Sequence, residues 1–205
     1  MNQTSKYIVI EGIDGSGKTT QLELLSKNFT EKNIPFYRNI EPSANPIGKF
    51  IRETILSGEY DTNELVRQTL FLADRFDTYY NGDSSVMKML EKGHVIADRS
   101  FISGMTYGGA HGFYIHDQLS DHLLFPDLVI YLDVLPEDVM KRIDSSRESK
   151  EVYENLAFQV DLKDRYEEVL EHVNIKYGIS VLRVRGDLEP DLVSKVIWGS
   201  VFDIL

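Results

Sequence analysis

The stretch Gly12-Ile13-Asp14-Gly15-Ser16-Gly17-Lys18-Thr19 fits G-x-x-x-x-G-K-[ST] in full. It constrains the fold because such a loop cradles phosphate only when a buried strand leads into it and a helix starts directly after it. Both flanks have that character. Residues 6–11, KYIVIE, form a short β-branched and aromatic run, as a buried strand does. Residues 19–32 place Leu22, Leu25 and Phe29 at spacings of three and four, on one face of an amphipathic helix. The backbone N–H groups from Gly12 to Thr20 then converge on phosphate oxygens, helped by the partial positive charge of the helix start. Lys18 neutralises the outer phosphates and the Thr19 hydroxyl ligates magnesium. The chain is therefore expected to bind ATP or another nucleoside triphosphate.

The rest of the chain repeats strand and helix. Strands are predicted at 35–40, 94–98, 128–134 and 180–185, making about five with the first. Helices are predicted at 47–56, 62–80, 83–92, 136–143, 155–177 and 190–205. Short apolar strands alternating with helices specify an α/β chain: a P-loop NTPase three-layer fold, its parallel central sheet covered by helices on both faces. No repeat or linker divides it, so residues 1–205 are expected to form one domain. A polar break at about 144–155 reads as a mobile lid.

Binding of a triphosphate does not name a reaction, because switches, motors and kinases share this loop. A GTPase needs a DxxG loop and an NKxD guanine reader, and the remaining sequence contains neither. The balance of 22 basic against 33 acidic residues, a net charge of −11, argues against nucleic acid as a partner and leaves small anions. With no cysteine, disulfides, thiolate nucleophiles and sulfur-ligated zinc are excluded. The first residues carry no apolar signal core and no membrane segment is indicated, so the expected compartment is the cytoplasm. None of the five histidines has metal-ligand spacing.

On the acceptor side, two Asp-Arg pairs end recognisable elements: Asp74-Arg75 and Asp98-Arg99. Arg99 follows a buried strand, the sheet edge where ligands bind, and a guanidinium there can grip phosphate through two parallel hydrogen bonds. Either pair alone would read as a surface ion pair.

Taken in order, EGIDGSGKTTQ at 11–21, TLFLADR at 69–75 and DRSFISGMTY at 98–107 resemble the successive motifs of thymidylate kinases. YENLAFQ at 153–159 is similar to the lid of the eukaryotic and poxviral branch. The resemblance implies transfer of the γ-phosphoryl of ATP, with Mg²⁺, to dTMP. It implies that Phe71 stacks on thymine, Arg75 hydrogen-bonds its edge, Arg99 holds the acceptor phosphate and Asp14 accepts the deoxyribose 3′-hydroxyl. Tyr107 would crowd the 2′ position, Gly104 would line the base pocket, and Tyr153 and Gln159 would lie near the base. Asp98, in preference to Asp133, would stand behind magnesium. Relatives are homodimers, which makes a homodimer the expected state.

The departures from the family pattern define the alternatives. Ser100 follows Asp-Arg as in deoxynucleoside kinases. The arginine that the eukaryotic branch carries at the Gly15 position is absent, as is the one before the lid tyrosine, where Val152 stands. Phosphoryl transfer needs cationic charge on the moving group, and Arg147 is the first candidate to supply it, before Arg142 and Lys150. A phosphate-side arginine after the second strand is also missing, with Ser43 near its position and Arg38 as a substitute. A deoxynucleoside kinase or broader monophosphate kinase, and a nucleotide-binding regulatory protein without transfer activity, remain as alternatives.

Overall fold

The computed structural model describes residues 5–146 and 155–205. Five strands, β1 (Tyr7–Glu11), β2 (Phe36–Ile40), β3 (His94–Asp98), β4 (Leu128–Asp133) and β5 (Ser180–Arg185), form one sheet in the order β2-β3-β1-β4-β5, every pairing parallel. Side chains of a strand alternate between faces, and β1 and β4 feed two cores in this way. Tyr7, Val9, Val129 and Tyr131 point into one, while Ile8, Ile10, Ile130 and Leu132 point into the other. The second core is closed by α1 (Lys18–Glu31) and α9 (Pro190–Phe202), through Leu22, Leu25, Phe29, Val193 and Ile197. The first is closed by α3 (Glu64–Tyr80), α5 (Phe101–Tyr107) and α8 (Leu156–Tyr177). This is the expected three-layer arrangement of a parallel sheet between helices.

Chain direction places the site. From β1 the chain crosses to β2 at one edge, steps back to β3 beside β1, and then passes over β1 to β4 on its other side. The strand order therefore reverses around β1, and ligands of parallel sheets bind at the carboxyl ends of the strands beside such a point. Glu11 and Asp98 stand at those ends.

Several elements differ from the sequence reading. The predicted helix at 47–56 is α2 (Pro46–Phe50) followed by a π-helical turn, Ile51–Ile55. The one at 83–92 shrinks to α4 (Val86–Leu90). Helix α7 (Pro136–Ser146) runs three residues into the expected lid, and Asn155 caps α8 by accepting the Phe158 N–H at 2.9 Å. The segment after the Asp98-Arg99 motif, left without an element, is helical in α5 and again in α6 (Gly109–Gln118). Gly108, Gly109 and Gly112 disguise it, because glycine opposes helix. Packing restores it: a Cβ at Gly108 would stand 2.6 Å from the Gln68 side chain, and one at Gly112 2.3 Å from the Gly104 carbonyl.

Candidate active site

The phosphate loop connects β1 to α1 as predicted. Gly12, Gly15 and Gly17 have positive φ, a region that costs little only without a Cβ, and a Cβ on Gly12 would lie 2.7 Å from Ser16 Oγ. Lys18 folds over the loop, donating to the carbonyls of Gly12 and Ile13, each at 2.9 Å. Burial, reinforced by the nearby Arg99 charge, lowers its ammonium to about 8. Thr20 is exposed one residue into the helix beyond Thr19. Thr19 Oγ1 donates to Asp98 Oδ2 at 3.1 Å. A hydroxyl beside a carboxylate suits a hard cation that keeps water and phosphate oxygens as its other ligands. No cluster of three His, Cys, Asp or Glu side chains offers a protein-only metal cage among the described residues. Asp133 is engaged by Lys163 instead.

A cleft of about 390 Å³ opens beside Thr19. It is lined by Asp14, Phe71, Arg75, Arg99, Gly104 and Tyr107, so residues expected from three separate motifs meet in one place. In its middle, Arg99 pairs with Asp14, donates to Tyr107 Oη at 3.0 Å and has its guanidinium carbon 4.8 Å from the Tyr107 ring centroid. Tyr107 Oη donates onward to Asp14 Oδ2 at 2.9 Å. Burial raises the Tyr107 pKa well above its usual value, so the phenol keeps the proton this chain of hydrogen bonds needs. Arg99 itself has φ 76°. This left-handed backbone is rare outside glycine, and here it lies at the turn out of β3.

Arg75 forms the opposite wall. Its guanidinium is 2% exposed and pairs with Glu41 at 2.6 Å, donates to the Ser100 carbonyl at 2.9 Å and meets His116 Nε2 at 2.5 Å. Burial works against its charge, but the adjacent Glu41 carboxylate outweighs it and the pKa rises. Burial pushes Glu41 up in turn, against the pull of Arg75. His116 is held below its usual range, near 3, by burial and then by Arg75. It is therefore neutral: Nδ1–H donates to the Gly112 carbonyl at 2.8 Å and Nε2 is left to accept from Arg75.

Neither Asp-Arg pair is an ion pair. Asp74 is buried and accepts from Ser43, at the backbone N–H (2.7 Å) and at Oγ (2.5 Å). Asp98 serves Thr19 while Arg99 serves Asp14. Ser43 is thus a brace for the loop after β2. Arg38 is no substitute for the missing phosphate-side arginine, because it is half-buried, pairs with Glu23 at 2.6 Å and does not line the cleft. Arg52 reaches the cleft instead, donating to the carbonyls of Pro42 and Ser43 from the π-helical turn. Its aperiodic setting gave no sequence signal. Ser100, which raised the deoxynucleoside kinase alternative, turns inward: its Oγ donates to Glu11 at 2.8 Å and accepts from the Ile102 N–H. Glu11, fully buried, also accepts from Ser103 and Tyr166 at 2.7 and 3.0 Å.

Gln159 is buried on α8 and does not line the cleft, whereas its neighbour Phe158 packs on Tyr107 with ring centroids 6.2 Å apart. Arg142 donates to the carbonyls of Gly15 and Gly186, at 3.4 and 3.0 Å, and so lies beside the phosphate loop. Arg147, Lys150, Val152 and Tyr153 lie outside the described residues.

Comparison with known proteins follows the same line. The family model for thymidylate kinase matches residues 10–181. A "Probable thymidylate kinase" of Methanococcus maripaludis strain C6 is 35% identical over 202 residues, covering 97% of the chain and 92% of the relative. The thymidylate kinase of Leptospira borgpetersenii serovar Hardjo-bovis is 31% identical over 175 residues, 83% of each chain. The solved structure of thymidylate kinase from Candida albicans superposes with a TM-score of 0.75 at 26% identity, covering 98% of this chain and 92% of that one. A phosphate loop facing an arginine-walled cleft, in a chain that matches these proteins along nearly its whole length, belongs to the thymidylate kinase family.

Proposed function

We propose that this chain transfers the γ-phosphoryl group of ATP to dTMP, giving dTDP and ADP. The observation that carries the reading is the continuity of the cleft: Thr19 beside the phosphate loop at one end, Phe71 and Arg75 at the other, and Asp14, Arg99 and Tyr107 between them. A monophosphate lying along it would direct its phosphate at the loop and its base at Arg75. In-line transfer then needs positioning and charge rather than a covalent intermediate.

Lys18 would swing from its two carbonyls to the transferring phosphate. Arg99 would exchange part of its pairing with Asp14 for the acceptor phosphate, releasing the carboxylate to the sugar 3′-hydroxyl. Tyr107 would close the space beside the 2′ carbon, and Phe71 would cover the base. Magnesium, held at Thr19 with Asp98 behind it, would supply neutralising charge on the outer phosphates. The remaining cation and the cover over ATP are assigned to the segment containing Arg147 and Tyr153, with Arg142 already beside the loop. Gln159, which does not line the cleft, would act on the base end only indirectly, through α8. Residues 1–205 are taken as one unit and two copies as the working assembly. No helix among the described residues is long and apolar enough to cross a membrane, in keeping with a cytoplasmic enzyme.

The test is ADP formation from ATP·Mg²⁺ with separate panels of nucleosides and nucleoside monophosphates. Turnover with dTMP and none with thymidine is expected. Turnover with thymidine would favour a deoxynucleoside kinase, and no ADP formation with any acceptor would refute transfer and favour a binding protein.

A further inference from the structure

Gln68 lies on α3 one turn before Phe71 and two before Arg75, so the three share a helix face, and all three line the cleft. Its side chain is built in. Nε2 donates to Glu64 Oε1 at 2.7 Å, and Glu64 is itself anchored by Arg67 at 2.8 Å. A carboxylate only accepts, so the amide nitrogen must face Glu64 and the amide oxygen is turned away from it. Across the cleft floor, Gly108 and Gly112 leave the space this side chain fills: a Cβ on Gly108 would stand 2.6 Å from both Gln68 Cγ and Cδ. Gln68 is 1% exposed, yet its Oε1 has no hydrogen-bond partner among the described residues. An acceptor oriented, buried and left unpaired is costly unless a ligand completes it.

We propose that Gln68 is a specificity-determining residue whose Oε1 accepts the ring imide N–H of the acceptor base. This rests on the reading that the cleft takes dTMP. Arg75 offers N–H donors to a ring carbonyl, and Gln68 offers an acceptor to the N–H next to it. Together they match the carbonyl and imide edge of thymine or uracil. Cytosine carries an amine donor and a bare ring nitrogen at those positions and opposes both residues, so the pair selects by repulsion as well as attraction.

The experiment compares kcat/KM for dTMP, 5-methyl-dCMP and N3-methyl-dTMP in the wild type and in Gln68→Met, which keeps the length and loses the amide. The wild type should prefer dTMP over either analogue by about 100-fold or more. Gln68→Met should lose about 10-fold or more of its preference over 5-methyl-dCMP, through KM for dTMP with kcat little changed. An unchanged preference in a folded Gln68→Met would overturn the proposal and mark the amide as structural. Wild-type turnover of N3-methyl-dTMP within about threefold of dTMP would overturn it without any variant. Normal dTMP turnover with either result removes only the Gln68 assignment, whereas no dTMP turnover by the wild type removes the functional reading and this one together.

Discussion

Gly104→Ala is the smallest change that should disable the base end of the cleft. The added Cβ would lie 2.4 Å from both Cε1 and Nε2 of His116 and 3.1 Å from Arg75 Nη1, where ordinary carbon contacts stand at about 3.5–4.0 Å. The imidazole must therefore retreat by about 1 Å. It is fully buried and tied at both nitrogens, to Gly112 and to Arg75, so it can retreat only by breaking one of those contacts or by moving α6. Overpacking of this kind costs about 1–3 kcal/mol, which for a chain of this size corresponds to a fall of about 2–12 °C in Tm. The functional effect should exceed the stability effect. Arg75 loses its His116 acceptor and shifts, and misplacement of a positioning group by about 1 Å is worth up to about 100-fold. The expected result is KM for dTMP raised about 10–100-fold, with KM for ATP unchanged because the phosphate loop is untouched. Steady-state kinetics at saturating ATP and a thermal melt measure both. His116→Ala in the same chain should relieve the crowding, giving a coupling of about 1 kcal/mol or more in a double-mutant cycle. Gly104→Ala with wild-type Tm and wild-type KM for dTMP would refute the account of His116 as the support of Arg75.

Three further outcomes follow from the centre of the site. Arg99→Ala should abolish transfer while ATP affinity, followed by titration of a fluorescent ATP analogue, stays near wild type; near-normal turnover would contradict the role given to Arg99. Lys18 is held at about 8 in the free protein, so around pH 8 about half of the chains carry it neutral, and an arriving triphosphate should recharge it. ATP binding should then take up to about half a proton at pH 8 and almost none at pH 6.5, read by calorimetry in buffers of different ionisation enthalpy. The same depression makes the Lys18 contribution to stability increase from about pH 8 towards its ordinary value near 10.5, because the unfolded chain binds the extra proton there. Equal proton uptake at both pH values would show that Lys18 is fully charged before ATP arrives.

Strands β1 to β5, α1 and α3 are legible in the chain because each is written in a local code. A short β-branched run bounded by turns can only be a buried strand here, and a phosphate loop needs contiguous residues. The cleft residues Asp14, Phe71, Arg75, Arg99, Gly104 and Tyr107 were likewise recognisable from contiguous motifs. What surrounds them was not. Glu41 reaches Arg75 across 34 positions, His116 across 41, and Ser100 reaches Glu11 across 89. Helices α5 and α6 look like loop until the side chains that occupy their glycine gaps are in view, and Arg38 looks like a site residue until Glu23 is seen beside it. The chain by itself determined a parallel three-layer sheet and a phosphate site, because periodicity and loop geometry act over a few residues. Only the tertiary structure decided which polar groups lose water and which partner each then finds. Desolvation depends on whatever packs against a residue, and that neighbour is supplied from elsewhere in the chain.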